Sequence, residues 1–355
     1  MSAALITGGA GFIGANFVRH WRATHPEDEI LVLDALTYAG NRESLAGVEN
    51  VELIVGDIRD FTLVTKLLND RSIDRIVHFA AESDVDRSIR EPDIFVETNV
   101  MGTLSLLKAA KQAWLDHGSG RPHRYHHIST DEVYGSLAPD AAPFCEDTPY
   151  APNSPYSASK AGSDHLVRAY HQTYGLDVTT SNCSNNYGPY QHPEKLIPLF
   201  LINALHGRPL PIYGDGEHRR DWLHVSDHCR AIEAIVEGGT AGQVYNVGGD
   251  SELGNLDLID RLCATIDRAF AEDERLAKAF PDSAAAKGQS SASLKTHIED
   301  RLGHDRRYAI DDSKIAAELS FKRTHSIDDG LEQTVRWYLD NADWWRTVSA
   351  RQISN

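Results

Sequence analysis

The chain is predicted to fold as an α/β protein, a doubly wound parallel sheet with a smaller, interleaved C-terminal domain. Three observations predict this. Short apolar runs alternate with amphipathic stretches through the first half, the pattern of strands buried on both faces and joined by crossover helices. A glycine-rich turn directly follows the first of those runs. Beyond about residue 185 the alternation gives way to prolines and glycines, in YGPYQHPEKLIP (187–198) and GRPLPIYGDGE (207–217).

Strands are expected at 4–6, 30–33, 51–55, 75–79 and 125–128, each a short apolar run. Between the first two, Ile13, Phe17 and Trp21 recur every four residues, as on one face of a helix. Phe61, Val64 and Leu68 repeat that spacing, and Phe95, Leu106 and Ala110 mark a longer helix. A later run, Val244-Tyr245-Asn246-Val247, is expected to rejoin the first sheet. The domains therefore read as 1–184, with a strand near 243–248 returning to it, and 185–355. The stretch 271–296 (AEDERLAKAFPDSAAAKGQSSASLKT) is small, polar and poor in β-branched residues, so a short helix and then a mobile surface loop are expected. No repeat is visible.

The length of 355 residues suits a two-lobed enzyme, and 41% hydrophobic residues suffice for a core. With Lys+Arg 35 against Asp+Glu 52, the net charge of −17 excludes nucleic acid or an acidic membrane surface as the main partner. An anionic substrate would need a local basic pocket. Cys145, Cys183, Cys229 and Cys263 are widely spaced and read as reduced thiols. The start, MSAALITGGAG, runs straight into a strand without a signal peptide, and no apolar run approaches the roughly 18 residues of a membrane span. A cytoplasmic enzyme is expected, with no metal.

Gly8-Gly9-Ala10-Gly11-Phe12-Ile13-Gly14 follows the first strand and opens the first helix. Glycines there permit a tight turn, close approach to a pyrophosphate and helix–strand packing, while the helix N-terminus offers free N–H groups to phosphate. Asp34, twenty positions after Gly14 at the end of LVLD, is placed to accept hydrogen bonds from an adenosine ribose and to repel a 2′-phosphate. Ala35 and Leu36 follow it, with no arginine, so NAD is favoured over NADP in a Rossmann-type domain. Gly56-Asp57-Ile58, at a strand end, reads either as an adenine contact or as a plain turn.

Tyr156 and Lys160 stand one helical turn apart. A free tyrosine titrates near ~10, and a nearby ammonium lowers that value, which makes hydride removal from an alcohol feasible. Asp131 and Glu132 follow a buried strand, beyond the carboxyl end where parallel sheets bind ligands. They read either as acids capping a helix or as an acid–base pair. Beside a redox pair, two carboxylates in different environments fit elimination of water from a sugar: oxidation acidifies a neighbouring C–H, one group takes that proton and the other protonates the leaving hydroxyl.

The ordered set TGGAGFIG (7–14), HFAAESDVDRSI (78–89), STDEVYG (129–135), YSASKAGSDHLV (156–167), SNCSNNYGPYQHPEKLIP (181–198), RDWLHVSDH (220–228) and GHDRRYAID (303–311) closely resembles the dTDP-glucose 4,6-dehydratases of the extended short-chain dehydrogenase/reductase superfamily. The resemblance covers most of the chain. It implies a hydro-lyase that oxidises C4 of dTDP-glucose, eliminates water across C5 and C6 and returns the hydride to C6. It makes Tyr156 the base at C4, Lys160 its partner and the holder of the nicotinamide ribose, and Thr130 the contact to the C4 oxygen. Glu132 would take the C5 proton and Asp131 protonate the C6 hydroxyl.

For NAD the resemblance implies Gly8, Gly11, Phe12, Ile13, Gly14, Asp34, Leu36, Thr37, Asp57, Ile58, Phe79, Ala80, Ala81, Ser83, Thr98, Tyr156, Lys160 and Asn186. For the substrate it implies Ser83, Thr130, Asn185, Lys195, Leu196, Pro211, Tyr213, Arg220, Asn255, His304 and Tyr308. Lys195 and Arg220 would supply the cationic charge that a diphosphate needs. The family forms homodimers through helices that would include 92–113 and 155–174. Its product feeds L-rhamnose and other deoxysugars of surface polysaccharides or secondary metabolites.

Two departures stand out. Leu302 replaces a usual proline ahead of His304, and the 271–296 connection is longer than the family's. His126 and His127 read as structural, and Trp344 and Trp345 as packing for the last helix. The rival readings are a UDP-hexose 4-epimerase, which needs no acid–base pair at C5 and C6, a dehydratase for another nucleotide sugar, and a non-catalytic NAD-binding regulator, in which the four reacting groups would have decayed.

Overall fold

The computed structural model describes residues 2–118, 122–300 and 304–352. Its strands are β1 (Ala3–Thr7), β2 (Glu29–Asp34), β3 (Val51–Val55), β4 (Arg75–His78), β5 (Arg124–Thr130), β6 (Val178–Cys183), β7 (Asn185–Tyr187), β8 (Leu210–Tyr213), β9 (Arg219–His224), β10 (Val244–Val247), β11 (Glu252–Gly254) and β12 (Lys295–Ile298). Seven of them form one sheet in the order β10-β6-β5-β4-β1-β2-β3. Every pairing in it is parallel. The five strands expected in the first half are all present, and 244–247 rejoins the sheet at its edge beside β6.

Both faces of the sheet are covered, which explains the uninterrupted apolar runs. On one face the helix Phe12–Thr24 buries Phe17 and Trp21 and packs with Val225, Cys229, Ile232 and Val236 of the helix Val225–Gly238. On the other, Val64, Leu106, Leu107, Trp114 and Val167 close over β1, β4 and β5. The long helix expected around Phe95, Leu106 and Ala110 carries π-helical turns at Val96–Gly102 and Gln112–Asp116. The strand order reverses direction at β1 and β4. A crevice opens there beyond the carboxyl ends, where doubly wound sheets take ligands.

The second apolar core gathers Leu201, Leu258, Leu262, Leu331, Tyr338 and Trp345. The Trp345 indole donates to the Tyr338 carbonyl at 2.9 Å, and Trp344 packs edge-on to Trp337 at 5.2 Å, so both serve the last helix. Two small sheets flank this core, β11-β9-β7 and β12-β8.

The 271–296 stretch corrects an expectation. It is no loose surface loop. The helix Asn255–Glu272 is followed by a short one, Glu274–Ala279, and Phe280, Ser283, Ala284 and Ser291 are buried. Asp267 accepts hydrogen bonds from the Ser290 hydroxyl and from the Ser291 amide and hydroxyl. Lys295–Ile298 then pairs in parallel with β8. Polar anchors replace apolar ones, which hid the order from hydropathy. Leu302 lies outside the described residues. Cys183, Cys229 and Cys263 are buried free thiols, Cys145 an exposed one. Among the described residues no helix is long and apolar enough to cross a membrane.

Candidate active site

The crevice is a cleft of about 370 Å³. At one end Gly8, at φ +69°, lies so close to the end of β4 that a Cβ would sit 2.5 Å from the Ala80 nitrogen. A Cβ on Gly14 would sit 2.3 Å from the Gly8 oxygen. The helix that follows has no side-chain cap at Gly11 and no acid in its first turn, so its amides stay available to an anion. Asp34 is fixed by the same turn: Oδ2 accepts from the Ala10 amide at 2.9 Å and Oδ1 from the Leu36 amide at 2.8 Å. Burial raises its pKa and those two amides oppose the rise. A cradle with no room for side chains, an uncapped helix end and a fixed carboxylate twenty residues on fit a dinucleotide.

Every residue expected to hold the cofactor lies on the cleft wall except Leu36. Leu36 contributes its backbone, at φ +51°, by donating to Asp34. Thr130, Asp131, Glu132, Asn185 and Lys195 share the wall. Among the described residues, Asp131 Oδ2 and Asn185 Oδ1 are buried with no hydrogen-bond partner, as suits groups that face a polar ligand.

Tyr156 sits in the first turn of the helix Pro155–Tyr174, which is set by a capping box between Ser154 and Ser157 and by Pro155 in that turn. One turn on, the buried Lys160 ammonium donates to the Ile128 carbonyl of β5 at 2.8 Å. β5 ends at Thr130, and a single 3-10 turn, Asp131–Tyr134, presents the carboxylates. The cap of that turn is the Thr130 hydroxyl, which accepts from the Glu132 amide at 3.3 Å, so capping is not the acids' task. Tyr134 secures the turn: its hydroxyl donates to Asn246 Oδ1 of β10 at 2.9 Å.

Burial, then the neighbouring Glu132 and Asp221, push the Asp131 pKa well up, against Arg220. Its surroundings thus favour the protonated form of Asp131, while Glu132 is only half-buried beside it. The Tyr156 phenol is also pushed well up, by burial and then by Glu132. Lys160 was expected to lower it. In the structure the group that lowers it most is the Thr130 hydroxyl.

Seven of the expected substrate residues lie off this wall: Leu196, Pro211, Tyr213, Arg220, Asn255, His304 and Tyr308. Leu196 opens the helix Leu196–Leu205 and packs toward the second core. Pro211 lies in β8 two residues before Tyr213, and Tyr213, Asn255 and His304 gather at His218. The His304 ring stacks on His218 at 3.6 Å, Tyr213 stands edge-on to His304 at 6.2 Å, and the Asn255 backbone N–H donates to the His218 carbonyl at 2.9 Å. Arg220 lies over the Tyr308 ring at 4.3 Å and donates to the carbonyls of Arg219 at 2.7 Å and Asp305 at 2.8 Å. Lys195 donates to the Ser83 carbonyl at 3.3 Å. Both cations thus engage the backbone here.

Sequence reasoning missed His218, and also Asn99. The Asn99 amide bonds both backbone groups of Glu82 and donates to Ser159 at 2.8 Å, tying the loop after β4 to the Tyr156 helix. An asparagine inside an otherwise apolar helical face was the available signal. For His218 there was none.

Residues 5–334 match the family model described as GDP-mannose 4,6 dehydratase. A dTDP-glucose 4,6-dehydratase of Xanthomonas campestris pv. campestris (strain B100) is 50% identical over 353 residues, 98% of this chain and 96% of that protein. The chain belongs to the dTDP-glucose 4,6-dehydratase family. The dehydratase of Salmonella typhimurium is 47% identical over 359 residues, 98% of this chain and 95% of that one. Among solved structures, DesIV from Streptomyces venezuelae, a dTDP-glucose 4,6-dehydratase with NAD and TYD bound, aligns with a TM-score of 0.84 at 48% identity. That match covers 98% of this chain and 99% of DesIV. Membership in the 4,6-dehydratase family sets the chemical question for the cleft, which is how one group of side chains serves both an oxidation and a loss of water.

Proposed function

We propose that the chain dehydrates dTDP-D-glucose to dTDP-4-keto-6-deoxy-D-glucose, with NAD as a resident cofactor. The observation that carries this is one cleft holding Tyr156 and Lys160 beside a fully buried Asp131, whose pKa is pushed up, and a half-buried Glu132. NAD, when bound, supplies the hydride acceptor that later serves as the donor. The glycine turn, the uncapped helix and Asp34 would hold it, in keeping with the NAD reported for DesIV.

Tyr156, as the phenolate that the positive charge of a bound nicotinamide would favour against burial, takes the proton of the C4 hydroxyl, with Thr130 holding that oxygen. Glu132 takes the C5 proton once C4 is a ketone. Asp131 gives its proton to the C6 hydroxyl, which leaves as water. C6 then receives the hydride and C5 is reprotonated, so oxidation and reduction cancel. Asn185, Lys195 and the residues around His218 would hold the nucleotide. The residues from 185 onward would mainly bind substrate, and the enzyme would work in the cytoplasm as a homodimer, feeding L-rhamnose or another deoxysugar.

Substrate carrying deuterium at C4 tests the whole sequence. The 4-keto-6-deoxy product should carry that deuterium at C6 and take label at C5 from deuterated solvent, both read by mass spectrometry and NMR. Return of the label to C4 would mark an epimerase. Its loss to solvent would end the reading.

A further inference from the structure

One turn beyond Lys160, on the same buried face of the helix, lies Asp164, which no step above uses. Its two oxygens are divided between two residues of β5. Oδ1 meets His127 Nε2 at 3.0 Å and Oδ2 accepts from the Ser129 hydroxyl at 2.8 Å. Those two residues flank Ile128, whose carbonyl accepts from the Lys160 ammonium at 2.8 Å. Alternate side chains of a strand point to one face. A single helix carboxylate therefore grips the strand on both sides of the carbonyl that seats the lysine.

A carboxylate is a costly way to fill a buried space. Burial pushes the Asp164 pKa up to about 6, and the strongest influence against that rise is Lys160. Burial likewise pushes Lys160 down, and the strongest influence against that fall is Asp164. Each helps to keep the other ionised. His127, held well below its ordinary pKa by burial and then by Lys160, is neutral and donates Nε2–H to the carboxylate.

The other groups around this pair come from several elements. Asp164 also feels Tyr150, from the loop before its helix, and His165 beside it. Lys160 also feels Cys183 at the end of β6 and acts on His78 of β4. Behind Tyr150, Asn182 of β6 donates to its hydroxyl at 3.1 Å.

We propose that Asp164 is a positioning residue for the redox step: it clamps β5 so that the Ile128 carbonyl seats the Lys160 ammonium, and it balances that buried charge. The proposal rests on the functional reading above, in which Lys160 serves Tyr156.

The test is Asp164→Asn in the full-length, NAD-loaded protein. Fold and NAD content should be retained, and kcat at neutral pH should fall roughly 10–100-fold with KM within about twofold, as expected when a transition-state contact loses its geometry. Without the carboxylate Lys160 loses its proton at lower pH. The alkaline limb of the kcat profile should therefore move down by about one pH unit or more, and Asp164→Glu should restore most of it. A folded D164N protein with a wild-type profile overturns the proposal. So does a lower kcat with both limbs unmoved, since that describes packing alone. Should D164N fail to fold, Ser129→Ala and His127→Asn, each removing one grip, should lower kcat at unchanged KM; wild-type kcat in both overturns it equally. Each variant is scored on whichever nucleotide hexose the wild type converts, so failure of the functional reading shows separately, in the wild type's own products.

Discussion

The glycine end of the cleft and the cluster around His218 sit in one molecule but are made differently. The first is built almost wholly from backbone: residues 7–14 supply the turn, the close approach to Ala80 and the uncapped helix end, with one carboxylate fixed by two amides. The second is built mainly from side chains delivered by separate places in the chain, Tyr213, His218, Arg220, His304 and Tyr308, with the Asn255 backbone joining them. A backbone site tolerates almost no added atom, because nothing in it can rotate away. A side-chain site spreads its hold over several contacts, each worth about 0.5–1.5 kcal/mol.

Gly14→Ala should break the backbone end outright. The added Cβ meets the Gly8 oxygen and has no flexible neighbour to displace, so the purified protein should lose its bound NAD and its activity together, as absorbance of extracted cofactor would show. A G14A protein that kept its NAD would erase the contrast. Between the two regions stands the acid. Asp131→Asn keeps the shape of the turn and removes the proton, so kcat should fall by ~10²–10⁴ while NAD stays bound. Stopped-flow absorbance should then show NADH accumulating before turnover. The smallest effect belongs to the side-chain end. Asn255→Ala keeps the backbone bond to His218 and removes the side-chain Oδ1, buried with no partner among the described residues, so it should raise KM for the nucleotide sugar about five- to tenfold and leave kcat within about twofold. A loss in kcat as deep as that of D131N would mean the two regions are one.

The same contrast explains what could be read in advance. The turn at 7–14, the strands and the neighbouring pairs Tyr156/Lys160 and Asp131/Glu132, which the structure brings to one cleft, were legible because each lies within a few residues and obeys a local period or spacing. His218 was not, since its meaning comes from the His304 ring stacked on it from far along the chain. β12 was missed for a related reason: Lys295–Ile298 is mostly exposed and pairs with Leu210–Tyr213, a partner no local pattern announces. Arg220 was foreseen as a phosphate contact, yet its position over Tyr308, with its hydrogens on nearby carbonyls, depends on side chains that fold in together. Lys160 was found by spacing, but its seat on the Ile128 carbonyl belongs to the meeting of helix and strand.

The late return of β10 to the sheet bears on how the chain matures. As the polypeptide leaves the ribosome, β6 stays an open edge until residues 184–243 have been made and Val244–Val247 can dock. Asn246 arrives with that strand, and it is Asn246 that receives the Tyr134 hydroxyl and so secures the turn bearing Asp131 and Glu132. The glycine end needs only the chain to about Ala80, whereas the turn bearing Asp131 and Glu132 waits for the second half. A nascent chain thus acquires its nucleotide cradle before it acquires its chemistry.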